Sequence, residues 1–379
     1  MKQKMNAGLI ATMLVLLPSG CAQQPAAIIP QTDVLDLVWP KPPEVPRIRF
    51  LYSITEPRDI NIRSGWLHKT LDFLKGSPRK QIGSPYGISK DAEGRLYVVD
   101  TFYKTVHVFD TEKSRHYLFP EQAVEGFRNP VNIVMGSEGR VFVSDSETGL
   151  VHVFTEHGRK FFTSIGKGQL QRPTGLAVND KTGELLVTDT VASKLVVYDE
   201  RSLALKRTIG GASEGSEGFH YPTNITVSKD GQIYITDSFN FRILKLSKEL
   251  EFIRSIGAAG DSPGYFSRPK GVATDSEGNV YVADALFDNI QIFDSDGHLL
   301  LAFGGPGHGQ GEFWLPNALF IDDDDRIYVS DPYNKRIQVF QFLQQAGAHF
   351  QRCLACEGER ENLLRRDACQ QQTEDAAHQ

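Results

Sequence analysis

The sequence predicts an all-β fold, a closed β-propeller of six blades. A unit of 43 to 49 residues recurs six times, and each copy carries the alternating apolar residues and tight-turn residues of short antiparallel strands. A strand-like segment before the first copy supplies the strand that the last copy lacks. The flanks of the repeats are expected to be short helices or disordered chain.

Residues 1–20 are predicted to be a signal peptide. Lys2 and Lys4 precede an apolar stretch, residues 7–17, that is too short to span a bilayer. The following segment, LPSGC at residues 17–21, resembles a bacterial lipoprotein cleavage box with Pro18 in place of the usual aliphatic residue. We therefore expect Cys21 to be acylated. The alternative is ordinary signal cleavage, in which Cys21 has no role.

The predicted location is the outer membrane, facing the periplasm or the cell surface, because Ala22 rather than aspartate follows the cysteine. The chain has 41 basic and 47 acidic residues, and loss of Lys2 and Lys4 with the leader leaves a net charge of −8. Nucleic-acid-binding domains carry a net basic face, so nucleic acid is not an expected partner. The expected partners are a membrane, through the lipid anchor, and a protein of the cell envelope.

Three segments precede the repeats. Residues 21–46 are rich in Pro, Ala and Gln and are expected to form an extended tether. Residues 47–54 read like the strand at 250–256 and are predicted to close the last blade. Residues 65–76 place their apolar side chains broadly on one helical face. We expect this helix to pack against one end of the propeller or to lie on a membrane or a partner.

The six copies share three landmarks: an opening proline, an aspartate that closes the second strand, and a large apolar residue nine positions after the aspartate. The prolines are Pro85, Pro130, Pro173, Pro222, Pro269 and Pro316; the aspartates are Asp100, Asp145, Asp189, Asp237, Asp284 and Asp331; the apolar residues are Phe109, Phe154, Tyr198, Leu246, Phe293 and Phe340. One blade cannot bury both faces alone, so the copies must stack and the ring must close. The propeller is predicted to span residues 47–343.

The first turn of each copy has a residue that tolerates a positive φ. These residues are Gly94, Gly139, Gly183, Gly231, Gly278 and, in the sixth copy, Asp325. The pattern predicts a tight hairpin at the start of every blade.

The units resemble the NHL repeat. The match is carried by PKGVA at 269–273, GNVYVAD at 278–284 and DPYNKRIQVF at 331–340, and it extends over residues 85–343. The resemblance implies a six-bladed NHL propeller. It also implies a role of the kind that such domains have elsewhere, in protein interaction, RNA binding or extracellular sensing.

The tail, residues 344–379, lacks the repeat pattern and is expected to be partly helical or disordered. Cys353 and Cys356 have the spacing of a haem attachment site, but Glu357 stands where the ligating histidine would be. Zinc binding by these cysteines and Cys369 has the right atoms without a supporting fold. In an oxidising envelope a disulfide among the three is the simplest expectation.

Few residues suggest catalysis. The six aspartates recur in every blade, so we expect them to bind the backbone N–H groups of the following turn. The run Asp322–Asp325 is either a calcium site or, as we favour, a solvated hairpin tip. His107 and His152 occupy equivalent positions and are expected in the core. The amidating lyases, which resemble NHL proteins in fold, hold zinc with several channel histidines; no matching set is found, and no cofactor is predicted.

One face of the propeller is the predicted binding surface. Loops that lead into the first strands, and loops between second and third strands, should share this face, and they carry aromatic and cationic residues typical of binding hot spots. The predicted residues are Tyr86, Phe102, Tyr103, Lys104, Phe239, Phe241, Arg242, Lys270, Phe287, Tyr333 and Arg336.

The sequence thus predicts a membrane-anchored module that binds a protein or forms a scaffold, and not an enzyme. The alternative is a propeller enzyme, similar to the amidating lyases or lactonases, with a metal in the central channel. The residues that follow the opening prolines weigh against this alternative, because they include no carboxylate and no histidine.

Overall fold

This computed structural model of the chain describes residues 37–62, 81–121, 124, 127–211 and 218–344. Several predicted features lie outside these residues: the signal peptide, Cys21, the helix at about 65–76, and the tail with Cys353, Cys356 and Cys369. Within the described part, no helix combines the length and the apolar character that crossing a bilayer requires.

The described residues form β-strands joined by short turns and 3-10 segments (Pro57–Ile60, Ser137–Gly139 and Ser238–Asn240). In chain order the strands are β1 (Val38–Trp39), β2 (Ile48–Ile54), β3 (Pro85–Lys90), β4 (Leu96–Asp100), β5 (Thr105–Asp110), β6 (Arg115–Phe119), β7 (Pro130–Met135), β8 (Val141–Asp145), β9 (Leu150–Thr155), β10 (Lys160–Ile165), β11 (Pro173–Asn179), β12 (Glu184–Asp189), β13 (Lys194–Asp199), β14 (Leu205–Gly210), β15 (Pro222–Val227), β16 (Ile233–Asp237), β17 (Arg242–Leu246), β18 (Phe252–Ile256), β19 (Pro269–Thr274), β20 (Val280–Asp284), β21 (Asn289–Phe293), β22 (Leu299–Gly304), β23 (Leu319–Ile321), β24 (Arg326–Asp331) and β25 (Arg336–Phe342).

These strands form six antiparallel sheets, the blades of a propeller. Blades 1 to 5 take four consecutive strands each, from β3 to β22, and blade 6 has the order β1-β2-β25-β24-β23. The innermost strands β3, β7, β11, β15, β19 and β23 contact one another in sequence, and β23 contacts β3. The predicted closed ring of six blades is confirmed.

The N-terminal strand closes the last blade, as predicted. β2 runs antiparallel to β25, with Ile48 opposite Phe342 and Ile54 opposite Ile337. The N-terminal strand β2 and the C-terminal strand β25 are thereby hydrogen-bonded in one sheet. This pairing leaves no open edge at β25.

The repeated landmarks occupy equivalent places. The apolar residues nine positions after each aspartate are buried between neighbouring blades. The first-turn residues Gly94, Gly139, Gly183, Gly231, Gly278 and Asp325 all have positive φ. At Gly87 an added Cβ would lie 2.6 Å from Asn132 Cα on the next inner strand. Glycine at this position therefore permits the close approach of inner strands around the channel.

The chain contacts the propeller earlier than the predicted tether boundary. β1 adds a fifth strand to blade 6, with Val38 opposite Arg49. The indole of Trp39 packs against Phe303 and Phe340, at ring-centroid distances of 5.8 and 5.9 Å. The segment from residue 37 is therefore part of the packed fold, where the sequence predicted tether up to residue 46.

Candidate binding face

Each strand-end aspartate joins two loops at one end of its blade. The carboxylate of Asp100 accepts the N–H groups of Gly83 (2.6 Å) and Ser84 (3.1 Å), which lead into β3, and of Phe102 (3.0 Å) and Tyr103 (3.0 Å), which follow β4. The carboxylates of the other five blades also accept N–H groups of the lead-in loop. The six lead-in loops and the six loops after the second strands thus form one face, which we call the upper face.

Hydroxyl groups beside the aspartates connect neighbouring blades at this face. They belong to the residue before the aspartate in blades 2, 3 and 4, and each donates to a carbonyl of the next inner strand. The bonds are Ser144 to Thr174 (2.6 Å), Thr188 to Thr223 (3.0 Å) and Thr236 to Lys270 (2.7 Å). These contacts were not predicted, although serine or threonine beside the aspartate was a visible signal in the sequence.

The residue two positions after the aspartate is a large, exposed apolar residue in five of the six blades. These residues, the apolar rim, are Phe102 (67% exposed), Val191 (50%), Phe239 (48%), Leu286 (53%) and Tyr333 (57%). Blade 2 has Glu147 at this position. In blades 1 and 5 the aspartate accepts the backbone N–H of the rim residue itself, at 3.0 and 3.1 Å. We call each strand-end aspartate, together with the backbone N–H groups that it accepts, an aspartate clamp. The clamp fixes the backbone while the side chain of the rim residue points into solvent.

The predicted binding residues divide into exposed and half-buried groups. Phe102, Lys104, Phe239 and Tyr333 are exposed. The half-buried residues are Tyr86, Tyr103, Phe241, Lys270 and Phe287. Phe241 packs against the core between blades 4 and 5, so its ring serves the fold.

Two predicted residues bind groups of their own blade. Arg336 is 9% exposed; its Nε donates to Asp331 at 2.9 Å and its other nitrogens donate to backbone carbonyls of the blade 6 lead-in loop. Arg242 donates in the same way to Asp237, at 3.0 Å. Both guanidinium groups complete the aspartate clamp of their blade. Arg336 is buried by these contacts, whereas the side chain of Arg242 remains 23% exposed.

Aromatic residues of the lead-in loops, which were not predicted, also lie at the upper face. The indole of Trp314, 44% exposed, lies 5.2 Å from the ring of Tyr333 and 5.2 Å from that of His308. Tyr221 stacks on Phe239 with ring centroids 4.4 Å apart. Tyr221 lies one position and Trp314 two positions before an opening proline, which was the available signal. They add contact area to the apolar rim in blades 4 and 6.

The residues after the opening prolines surround the upper mouth of the channel. These mouth residues are Tyr86, Val131, Thr174, Thr223, Lys270 and Asn317. Lys270 is the charged member. Burial lowers the pKa of its ammonium to about 8, and repulsion by Arg268 and Arg172 contributes in the same direction. The upper mouth is therefore electropositive.

A cavity of about 260 Å³ occupies the channel below the mouth. Its lining includes the side chains or backbone of Asn132 and Asn224 and continues to the opposite, lower face. At that lower end the ammonium of Lys90 lies 2.8 Å from Asp322, and the ammonium of Lys229 lies 3.2 Å from Asp323. Cations at the lower end are therefore neutralised by aspartates.

The acidic run Asp322–Asp325 is neither a simple solvated tip nor an open ligand set. Asp322 and Asp325 are buried, and Asp325 accepts the N–H and the hydroxyl of Ser276 in blade 5 at 2.8 and 2.7 Å. Asp322 accepts the hydroxyl of Tyr328 of its own blade at 3.1 Å, and its ion pair with Lys90 at 2.8 Å reaches blade 1. These two carboxylates therefore join blades, and only Asp323 and Asp324 are exposed.

A group with metal-ligand atoms lies at the lower face. Asp91, Glu93 and His157 are the three described residues whose ligand atoms all lie within 4.8 Å of one another. Arg95 already sits between the carboxylates, with its Nε 2.6 Å from Asp91 and its Nη2 2.8 Å from Glu93. The guanidinium pairs with both carboxylates and compensates one of their two negative charges, so the cluster fits an ion-pair network better than a metal site.

Two family models match the chain. The model described as the SMP-30/Gluconolactonase/LRE-like region matches residues 84–307, and the model described as a 6-bladed beta-propeller matches residues 272–375. No curated protein sequence matches the chain.

The chain is also similar to solved propeller structures. An auxiliary nutrient binding protein from Bacteroides thetaiotaomicron has a TM-score of 0.56 at 16% identity, covering 69% of this chain and 70% of its own. A luciferin-regenerating enzyme has a TM-score of 0.53 at 16% identity, with 69% and 92% covered. A streptogramin B lyase has 0.52 at 13%, with 69% and 94% covered. At these identities the likeness shows the fold, which serves enzymes and binding proteins alike.

Proposed function

The chain belongs to the SMP-30/gluconolactonase/LRE-like family, and we propose that within it this protein is a binding module of the cell envelope, anchored by acyl groups on Cys21. The upper face holds a protein partner. The lipoprotein-type segment at residues 17–21 supports the anchor and the location at the outer membrane.

The apolar rim is the observation that carries this proposal. Single exposed apolar residues are ordinary on protein surfaces, but equivalent positions in five blades form a set around one opening. A side chain such as Phe102 that stays largely in water lacks on the order of 1 kcal/mol of the free energy that its burial would contribute. Aromatic residues in such sets are typical binding hot spots, since a partner that covers them recovers that burial.

The rim can be tested by crosslinking in the native envelope. A Phe102→Ala/Phe239→Ala/Tyr333→Ala variant should lose a partner that the unaltered protein captures. The matched control is Phe162→Ala/Phe252→Ala, which removes rings that are 59% and 65% exposed on the outer strands β10 and β18. Capture that persists in the rim variant, or that is lost equally in the control, would contradict the proposal.

The anchor is tested separately. Metabolic labelling with a palmitate analogue should mark the unaltered protein, and Cys21→Ser should abolish both the label and sedimentation with membranes. If the Cys21→Ser protein is labelled and fractionates like the unaltered one, the lipoprotein assignment is wrong.

A propeller enzyme is the second candidate function, favoured by one observation. Lys270, with its lowered pKa of about 8, has the ionisation expected of a general base or nucleophile at a channel mouth. The other mouth residues offer no carboxylate or imidazole to assist it. Hydrolysis of simple lactones that rises with pH through 8 and disappears in Lys270→Gln would establish the enzyme and displace the binding role of the mouth.

A further inference from the structure

We propose that the lower edge of the propeller, along blades 2 to 5, lies on the surface of a bilayer that contains anionic lipids. Exposed apolar side chains of the outer strands make the contact, and lysine and arginine side chains lie beside them. The inference rests on the proposed function only in that the acyl anchor brings a bilayer within reach. It concerns the edge of the blades and not the upper face, so each can fail without the other.

The outer strands of five blades share a β-bulge. The outer strands are β6, β10, β14, β18, β22 and, in blade 6, β2. In blades 2 to 6, the residue opposite the buried apolar landmark of the third strand is followed by one residue that has no partner in the register. These bulge residues are Leu51, Phe162, Lys206, Ile253 and Leu300. A bulge re-aims a side chain, and because the outer strands start at the lower face, these residues lie near the lower edge of the propeller.

Most of the bulge residues are large, apolar and exposed. Phe162 is 59% exposed, Ile253 43% and Leu300 54%. The residue before the bulge adds a further exposed apolar side chain in blades 2, 3 and 4. Together these residues form the belt, which consists of Phe161, Phe162, Leu205, Phe252, Ile253 and Leu300. Scattered exposed apolar residues need no explanation, but a row of them at equivalent positions on four consecutive blades indicates an interaction surface.

Protection of the blade edge does not by itself explain the belt. A bulge keeps an edge strand from pairing with another chain, and a charged residue serves that purpose well. Lys206 occupies the bulge of blade 3, so the fold accepts a charge at this position. In blade 6 the strand β1 covers β2, and the bulge residue Leu51 packs against the core between blades 6 and 1. The belt therefore lies on blades whose outer strands no other described strand covers.

The outer strands are basic, although the chain as a whole has a formal net charge of −6. These six strands carry no Asp or Glu, and their basic residues are Arg49, Arg115, Lys160, Lys206, Arg207 and Arg254. Lys206 and Arg207 share the carboxylate of Glu184, at 3.0 and 3.2 Å. Arg254 pairs with Asp296 at 3.0 Å. Two cations on one carboxylate leave a positive charge in excess at blade 3, and Lys160 is exposed in blade 2.

An anionic bilayer surface suits this combination of apolar and basic residues. Apolar side chains can enter the boundary between headgroups and acyl chains, while the cations beside them contact anionic headgroups. The outer strands form the perimeter of the ring, so the belt is presented on a convex edge and not in a pocket. Cys21 precedes the first described residue, Leu37, by 16 residues, which span at most about 55 Å. An acyl group on Cys21 would therefore hold the propeller close to a bilayer.

Co-sedimentation with vesicles tests the belt without the anchor. The protein for this test begins at residue 21 and carries Cys21→Ser, so it keeps every described residue and cannot be acylated. We expect it to bind vesicles of phosphatidylglycerol and phosphatidylethanolamine, and Phe162→Ser/Phe252→Ser should weaken this binding about tenfold or more. The control, Val45→Ser/Tyr265→Ser, removes two exposed apolar side chains outside the belt and should bind normally. No binding by the parent protein, or equal binding by the two variants, overturns the inference.

Removal of cations tests the choice of lipid. Lys160→Gln/Lys206→Gln should weaken binding to the same vesicles by about fivefold for each cation removed. The matched control is Lys167→Gln/Lys335→Gln, which removes two exposed charges from the upper face. Binding should also fall as salt is raised and should be weaker on vesicles of phosphatidylcholine alone. Equal binding to the two kinds of vesicle overturns the inference, because it requires anionic lipid.

A fluorescent side chain shows which part of the molecule meets the lipid. Phe162→Trp keeps a large ring at the bulge of blade 2, so it tests this position even if the serine variants fold poorly. On vesicles its emission should shift to the blue and be quenched by brominated acyl chains. Tyr265→Trp, in the lead-in loop of blade 5 on the upper face, should show neither change. The reverse pattern would place the upper face on the bilayer and overturn the inference.

A second copy of the chain is the competing occupant of the belt. Dimerisation that Phe162→Ser/Phe252→Ser abolishes, together with no binding to vesicles, would assign the belt to contacts between copies and overturn the inference. The acyl anchor holds the native protein on the membrane without the belt, so capture of a partner in the envelope tests the proposed function independently. Capture that depends on the rim, while the unacylated protein binds no vesicles, removes this inference and leaves the proposed function standing.

Discussion

Replacement of Lys270 by methionine should stabilise the propeller at neutral pH. Methionine keeps the apolar stem in contact with the surrounding mouth and removes a charge that has no partner among the described residues. The expected gain comes from relief of desolvation and of repulsion by Arg268 and Arg172, the causes that lower the pKa of Lys270. A lysine on an ordinary exposed surface would show no such gain, since surface substitutions usually change stability little.

The shift in pKa gives the magnitude. A fall from 10.5 to about 8 corresponds to about 3 kcal/mol of destabilisation of the charged folded state. Because the side chain is only partly buried and water screens some of the effect, we expect methionine to raise the free energy of unfolding by about 1–2 kcal/mol at pH 7.

The sign of the pH dependence follows from linkage. Below pH 8 the lysine is charged in both states, so the full penalty is present. Between pH 8 and 10.5 the unfolded chain binds more protons than the folded one, and stability rises with pH. Above 10.5 the penalty is gone. The stability difference between the methionine variant and the unaltered protein should therefore fall by more than half between pH 7 and pH 9.5.

Urea denaturation at these two pH values measures the free energy of unfolding of each protein. Subtracting one value from the other removes the contribution of other titrating groups, which the two proteins share. Lys113→Met serves as control and should show no pH-dependent difference. A Lys270→Met protein that is less stable at pH 7, or whose advantage is the same at both pH values, would refute the reasoning.

Three further substitutions test the fold. Asp145→Ala removes the acceptor of four backbone N–H groups and should lower the free energy of unfolding by about 3 kcal/mol; an unchanged urea midpoint would show that the clamp is dispensable. Gly87→Ala places a Cβ 2.6 Å from Asn132 Cα and should cost about 2 kcal/mol or more, whereas Gly305→Ala meets no atom within 4 Å and should be neutral in the same denaturation assay. Trp39→Ala should lower the free energy of unfolding by about 3 kcal/mol, measured by thermal unfolding. A loss no larger than that of an ordinary surface substitution would indicate that β1 does not stabilise blade 6.

The fold could be predicted because its determinants are local and repeated. Each opening proline, strand-end aspartate and following apolar residue recurs at a nearly fixed spacing, and the segment at 47–54 matches a missing strand. The docking of Trp39 could not be predicted, since a Pro-rich composition specifies an extended backbone without specifying the surface on which it packs.

The binding face was predicted only in part, because exposure depends on partners elsewhere in the chain. Arg242 and Arg336 look like surface cations, yet each lies five residues after the aspartate that binds it. That spacing was present in the sequence. The lowered pKa of Lys270 was not, since it depends on burial and on repulsion by Arg268 and by Arg172, which is about 100 residues away in the chain and belongs to blade 3.

The aspartate clamp also explains why the rim position can hold different side chains in different blades. The carboxylate holds backbone N–H groups, so the rim position can be phenylalanine, valine, leucine, tyrosine or, in blade 2, glutamate without altering the clamp. Phe102, Phe239 and Tyr333 belong to blades 1, 4 and 6, so a partner that needs all three must extend across the channel mouth. Such a partner would also cover Lys270. The proposed protein partner of the apolar rim would therefore be wide enough to cover the channel mouth.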